Sequence, residues 1–189
     1  MSVERIAAPA SEPVSLAEAK AHLRVDNDDE DGLIARLIVA AREKCESMTG
    51  RAFILQNWKF WCDAWPDCRA PRILTIPKPP LMSLTSVTAY DRSGAASLLS
   101  SDAYIVDSAA APGRLVLKDT ANLPVDLREA NAIAIAFQAG YGAEPSDVPA
   151  GIRAGILTLI AHLYEGRGLS AGPPAETLAL LAPFRVAML

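Results

Sequence analysis

The hydrophobic pattern divides the chain into three textures. From Leu16 to Met48 apolar residues recur at the helical period, from Phe53 to Gln138 short alternating runs replace it, and from Ile152 it returns. The first texture predicts two helices. Pro13-Val14-Ser15-Leu16-Ala17-Glu18 is a start signal, with Ser15 as the cap and Glu18 as its reciprocal capping-box partner. Leu16, Ala19 and Leu23 then share one face of a short helix that ends near Val25. An acidic run (Asp26, Asp28, Asp29, Glu30 and Asp31) leads into a longer helix reaching about Thr49. Its stripe is Leu33, Ile34, Leu37, Ile38, Ala41, Cys45 and Met48, with Arg36, Arg42, Glu43 and Glu46 on the other side. The carboxylates suit the positive end of the helix dipole, and Gly50 suits a left-handed cap at the other end.

The middle texture predicts about six short strands. Trp58, Phe60 and Cys62 alternate with Lys59, Trp61 and Asp63, which puts Trp58 and Trp61 on opposite faces. One of the two is therefore a candidate interface anchor, and a core with two faces is the equal alternative. Ile73 to Ile76 is a short run closed by Pro77-Lys78-Pro79-Pro80. Leu84 to Tyr90 runs into the turn Asp91-Arg92-Ser93-Gly94, and Tyr104 to Val106 and Arg114 to Leu117 flank a turn at Pro112-Gly113. Ile133, Ile135 and Phe137 alternate with alanines.

Asp147 and Pro149 open the third texture, a helix whose stripe is Ile152, Ile156, Leu159, Ile160 and Leu163. Gly151 and Gly155 on that helix leave room for a second backbone. Gly166-Arg167-Gly168 stops it, Leu169 to Pro173 is a linker, Gly166 to Pro173 is the expected hinge, and a last short helix runs from Pro174 to about Ala182. The pattern amounts to an α+β protein: a helical core over 14–52 and 139–189, a β-rich insertion over 53–138, and an N-terminal arm over 1–13.

Composition narrows the function. The chain has 189 residues, of which 51% are apolar and 21% charged, as a globular domain requires. A net charge of −4 argues against a dedicated nucleic-acid binder, which would need a basic excess. No signal peptide or membrane span is expected: the arm has no apolar h-region, and Ala150 to Tyr164 is short and carries Arg153 and His162. The three cysteines Cys45, Cys62 and Cys68 form no CxxC pair, so reduced thiols in a cytosolic setting are expected.

Catalytic and metal chemistry find no foothold. Asn27-x-Asp29-x-Asp31-Gly32 matches the first half of a calcium loop, but its twelfth position is Ile38, where a bidentate glutamate is needed. The run reads as a solvated capping turn. His22 and His162 have no ligand set around them, apart from Glu165 three residues after His162. No phosphate loop, dinucleotide turn, nucleophile elbow or zinc-protease helix occurs. Neither a cofactor nor a metal is expected. Leu178, Leu181, Phe184, Val186, Met188 and Leu189 make an apolar end that, left exposed, would be a solubility liability. It either folds back on its own domain or inserts into a partner, and the Gly/Pro linker before it favours the partner.

Read in order, several segments resemble the tailed-phage head–tail connector (adaptor) family in its larger form with a β insertion. They are Val14-Ser15-Leu16-Ala17-Glu18-Ala19-Lys20-Ala21-His22-Leu23-Arg24-Val25, the stretch from Asp28 to Ile38, and Thr49-Gly50-Arg51-Ala52-Phe53. Gln56-x-Trp58, Trp65-Pro66 and Pro79-Pro80-Leu81-x-Ser83-Leu84-x-Ser86-Val87 follow. The series closes with Phe137-Gln138-Ala139-Gly140-Tyr141-Gly142, Val148-Pro149-x-x-Ile152, Ala161-His162-Leu163-Tyr164-Glu165 and Leu180-Leu181-Ala182-Pro183-Phe184-Arg185. One departure is Leu163, where the family pattern has tryptophan.

The resemblance implies a non-enzymatic virion protein of a phage, prophage or gene-transfer particle, assembled in the bacterial cytoplasm. Its partners would be other copies of itself in a ring, usually a dodecamer, the portal protein, and a stopper or tail-completion protein. Double-stranded DNA would pass through without sequence-specific binding. The C-terminal segment, Leu178, Leu181, Phe184, Arg185, Val186, Met188 and Leu189, would dock on the portal. Asp26, Asp28, Asp29, Glu30 and Asp31 would face the lumen or a subunit interface, since a channel for sliding DNA should not be lined by Arg51, Arg69 and Arg72. A stopper or tail-terminator ring is the alternative within the same particle, and a small soluble enzyme the distant one.

Overall fold

A computed structural model describes residues 1–66, 72–166 and 172–186. The protein is α+β, with four α-helices and two antiparallel sheets among the described residues. The chain forms two compact units: Met1–Pro9 with Leu55–Gly140, and Ala10–Ile54 with Tyr141–Leu189.

Among its described residues the first unit has eight strands: β1 (Ser2–Arg5), β2 (Gln56–Cys62), β3 (Ile73–Thr75), β4 (Leu81–Tyr90), β5 (Ala96–Leu98), β6 (Tyr104–Asp107), β7 (Arg114–Leu117) and β8 (Ile133–Ala139). One sheet has the order β1-β2-β8-β4-β5 and the other β3-β7-β6. Period-2 patterning decides which side chains are covered. Gln56, Trp58, Phe60 and Cys62 are buried while Asn57, Lys59 and Trp61 are not, and Ile133, Ile135 and Phe137 lie in the same covered layer. In the second sheet Leu74, Leu115 and Leu117 are the buried positions. The expected turns form as read. Asp91 caps the β4–β5 hairpin by accepting the N–H groups of Ser93 and Ala95, and Gly94 takes a φ of +85° that disfavours any other residue. Gly113 closes the β6–β7 hairpin, where a Cβ would fall 2.7 Å from Leu81.

Two features go beyond the pattern. Among the described residues between Gln56 and Ala139 there are seven strands, and an eighth, β1, comes from the N-terminal arm, whose Ser2–Arg5 pairs with Trp58–Trp61. β1 is an edge strand held through backbone hydrogen bonds and has no buried residue, so no alternation marks it.

The second unit contains α1 (Leu16–Leu23), α2 (Asp31–Thr49), α3 (Ala150–Glu165) and α4 (Ala175–Leu181). Ser15 and Glu18 form the capping box, and Gly50 ends α2 in the left-handed region at φ +74°. The core gathers Ile34, Ile38 and Cys45 of α2, Ile152, Ile156 and Ile160 of α3, and Leu181 of α4. Burial pushes the thiols up, to about 12 for Cys45 here and about 11 for Cys62 in the first unit, so neither is a reactive thiolate. Cys68 lies outside the described residues.

The polar side assigned to α2 needs a correction. Arg42 and Glu46 are buried, at 1% and 5% exposure. The Arg42 guanidinium donates to Glu12 at 2.7 Å and to Glu46 at 3.0 Å, while the other oxygen of Glu46 accepts the N–H of Phe53 at 2.8 Å. The segment before α1 and the residues after α2 both close over this helix face, so a charged pair occupies a position that the stripe assigns to solvent.

Candidate assembly surfaces

The C-terminal segment is positioned by two glycines on α3. A Cβ at Gly155 would meet Leu181 at 3.2 Å, and one at Gly151 would meet the Phe184 ring at 3.2 Å. The close approach expected at this pair of glycines is made by α4 and the residues after it. Leu181 is buried at 1% and Thr177 at 0%, so α4 is anchored on its own unit. Leu178 and Leu180 remain exposed, at 47% and 36%. Phe184 and Val186 are half-buried and Arg185 is exposed. Met188 and Leu189 lie outside the described residues, as does the linker from Leu169 to Ala171.

Beyond α4 the chain turns through a 3-10 turn, Ala182–Phe184, and closes against the end of α2. The N–H of Val186 donates to the carbonyl of Thr49 at 2.9 Å, and Arg51 Nε donates to the carbonyl of Phe184 at 2.5 Å. Burial pushes the Tyr141 phenol up, opposed by the Arg51 guanidinium that is hydrogen-bonded to it. Arg51 thus joins Phe184 and Tyr141. Sequence reasoning named Arg51 only as a cation that should not line the lumen and missed this clamp, because no local spacing links residues that far apart.

The acidic turn is partly neutralised from within. Lys20 Nζ lies 2.6 Å from both Asp28 and Asp31. The Lys20 hydrogen bond holds the Asp28 carboxyl below its usual range. The Tyr164 hydroxyl donates to Glu30. Asp26 and Asp29 are exposed, and the side chain of Asn27 accepts the N–H of Asp29. The five carboxylates therefore fall into two sets: Asp28, Glu30 and Asp31 brace α1, α2 and α3, while Asp26 and Asp29 point into solvent.

Glu18 also ties helices together, since Arg153 of α3 donates to it. Its carboxyl is held below the usual 4.5, first by the backbone N–H of Ser15, with the Ser15 hydroxyl and Arg153 adding to the effect against the cost of burial. A carboxylate depressed in the folded state adds stability above its unfolded pKa, and that contribution disappears as pH falls through the folded value. Glu18→Gln, which keeps a capping amide, is therefore expected to lower the urea midpoint at pH 7. The gap from the parent protein should narrow once the pH drops below 4.5. A gap that is constant with pH would remove the charge from this account.

The remaining candidates are dispersed. His22 is exposed, and His162 Nε2 lies 2.9 Å from the carbonyl of Gly172. Trp58 is buried at 8%. Trp61 stays half-exposed, with Lys59 Nζ 5.3 Å and Arg128 Cζ 5.8 Å from its ring centroid. Its Nε1 donates to Glu4 of β1 at 3.3 Å, and it is the more exposed of the two tryptophans on β2. Arg72 donates to the carbonyl of Lys118, and Arg69 lies outside the described residues.

Comparison with known proteins adds to this geometry. Residues 13–89 match the family described as phage gp6-like head-tail connector protein, a span that runs from just before α1 into β4. Among solved structures, a chain from the neck of an empty GTA particle computed with C6 symmetry aligns at a TM-score of 0.84 and 23% identity. The alignment covers 100% of this chain and 97% of that one. A chain from the virion of a native gene transfer agent particle gives the same values. One from the neck of a native GTA particle computed with C12 symmetry gives a TM-score of 0.81, also at 23% identity and with the same coverage. At that identity the likeness is one of fold, and it extends through both units. No curated protein sequence matches. The resemblance to the tailed-phage head–tail connectors is thereby shown.

Proposed function

We propose that this chain is a structural head–tail adaptor of a tailed phage or phage-like particle. Copies assemble as a ring of about twelve beneath the portal, extend the DNA channel, and present a docking surface to a stopper or tail-completion protein. The observation that carries the reading is the fold. All of this chain aligns with a neck component of a gene transfer agent particle, and its α1–α2 region carries the connector sequence pattern. A ring of identical copies needs two different surfaces that meet at a closing angle. The role assigns no chemistry to the chain.

In this reading the C-terminal segment docks on the portal, with Leu178, Phe184, Arg185 and Val186 as its described contact residues and Met188 and Leu189 continuing it. Leu181 belongs to the subunit's own core and serves by holding α4 in place. Asp26 and Asp29 are the carboxylates left to face the lumen or a neighbouring subunit.

The test is a truncation after Pro183, which keeps Thr177 and Leu181 and hence the packing of α4. A cut after Pro173 would strip the core of Leu181 and confound folding with docking. The truncated protein is expected to stay folded, because α4 keeps Thr177 and Leu181, and to lose about 1–3 kcal/mol of unfolding free energy with the two half-buried side chains and two hydrogen bonds of Phe184 and Val186. Its co-sedimentation with the cognate portal ring should be lost. Undiminished co-sedimentation would overturn the docking assignment.

A further inference from the structure

Phe184 to Val186 form a strap across the C-terminal end of α2 and the N-terminal end of α3. Three contacts close it, all within the helical unit: the Val186 N–H on the carbonyl of Thr49 at 2.9 Å, Arg51 Nε on the carbonyl of Phe184 at 2.5 Å, and the Phe184 ring on Gly151. Gly151 makes room for it, since a Cβ there would lie a tight 3.2 Å from the Phe184 ring, and Gly50 lies beside it, where a Cβ would sit at ordinary contact distance, 3.6 Å from Val186 Cβ.

We propose that this strap is an autoinhibitory latch: closed, it holds Phe184 and Val186 of the free subunit against its own body, and it opens when the portal accepts them. The inference depends on the docking assignment above and adds a regulation to it. The argument is one of competition. The faces of Phe184 and Val186 that lie on Gly151 and Gly50, and the Val186 N–H held by Thr49, are withheld from a partner while the strap is closed. A partner that takes these side chains whole must open it, and shifts the equilibrium by its preference for the open form.

The hold is also graded along the chain. Upstream, Leu181 and Thr177 are fully buried, so α4 stays in place and the Ala182–Phe184 turn becomes the pivot. Downstream the strap keeps two hydrogen bonds to carbonyls and two half-buried side chains, a set that a partner surface can replace. Closing it also keeps two apolar side chains out of solvent before assembly.

The latch can be locked and unlocked. In a Cys68→Ser background, Gly50→Cys with Val186→Cys places two Cβ atoms within the roughly 3.5–4.5 Å that a disulfide needs. The native Cys45 and Cys62 thiols are buried and pushed up to about 12 and 11, so they do not compete for the new pair. The oxidised protein is expected to bind the cognate portal ring at least about tenfold more weakly than the same protein after reduction. Equal affinity in the two forms would overturn the latch.

Arg51→Met supplies the opposite perturbation and decides the matter on its own if a cysteine at the left-handed Gly50 impairs folding. It should speed hydrogen exchange at the Val186 amide and tighten portal binding by about tenfold, because less of the population is held closed. Faster exchange with unchanged affinity would sink the proposal. The truncation after Pro183 separates the two readings. If that protein still binds the portal, docking by the tail is wrong. If it does not bind, and the oxidised and reduced cysteine pair bind alike, docking stands and the latch falls.

Discussion

Arg42→Ala is expected to destabilise the protein by about 3–5 kcal/mol, the range for removing one partner of a buried ion pair. Burial by itself would lower the pKa of the guanidinium. The hydrogen bonds and charges of Glu12 and Glu46 outweigh that effect and hold the pKa above its ordinary value. Taking the cation away leaves Glu46, at 7% side-chain exposure, with a carboxylate turned toward an emptied volume. Its other oxygen is committed to the Phe53 N–H and cannot turn to solvent without exposing that donor. Arg42→Met combined with Glu46→Gln should recover part of the loss. The stem volume is refilled, no charge remains buried, and the amide oxygen can still accept from Phe53. Urea unfolding of the two variants beside the parent reads this directly. A loss below about 1 kcal/mol for Arg42→Ala would place the pair among solvated surface bridges instead.

Phe137→Ala is expected to cost a similar amount, about 3–5 kcal/mol, through lost transfer energy and a residual cavity. Phe137 is 1% exposed on β8, whose two neighbours are β2 and β4, and its cross-strand partners are Trp58 and Leu84. A central strand cannot move to fill the gap without breaking a ladder on each side. Phe137→Leu should cost less, since most of the volume is retained. Urea midpoints give the magnitudes, and the near-ultraviolet dichroism of Trp58 should weaken in the alanine variant. A near-neutral alanine variant would show that the sheet face collapses freely, against the packing described here.

These two residues mark what could and could not be read from the chain. Phe137 was legible because strand periodicity is local: Ile133, Ile135 and Phe137 alternate, and their shared burial follows from the pleat. The capping box at Ser15 and Glu18, the left-handed end at Gly50 and the close approach at Gly151 and Gly155 were legible for the same reason. Each is decided by neighbours within a turn or two. Arg42 was not legible, because what buries it is Glu12 and the chain near Phe53, brought over α2 by tertiary folding. β1 was hidden because an edge strand is paired chiefly through its backbone and buries no side chain that would show as an alternating pattern.

The candidate surfaces follow the same rule. The apolar character of the C-terminal end is plain in the sequence, and so were the two fates open to it. What the sequence could not supply is the division of labour along that end. Leu181 serves the core, Leu178 is exposed, and Phe184 and Val186 are strapped down by Arg51 and Thr49. The acidic run divides in the same way. Lys20, eleven residues before Asp31, takes Asp28 and Asp31, and Tyr164 arrives from α3 to take Glu30. Charge counted along the sequence therefore overstates the charge offered to a partner.

The central claim is attachment beneath a portal, and imaging tests it most directly. The purified chain should be mixed with the cognate portal ring and viewed by negative stain. A ring-shaped layer added at the narrow end of the portal, in the absence of any other neck protein, is the result predicted here. A bare portal, with the chain binding only to portals that already carry another neck protein, would contradict the adaptor assignment and move the chain further down the neck.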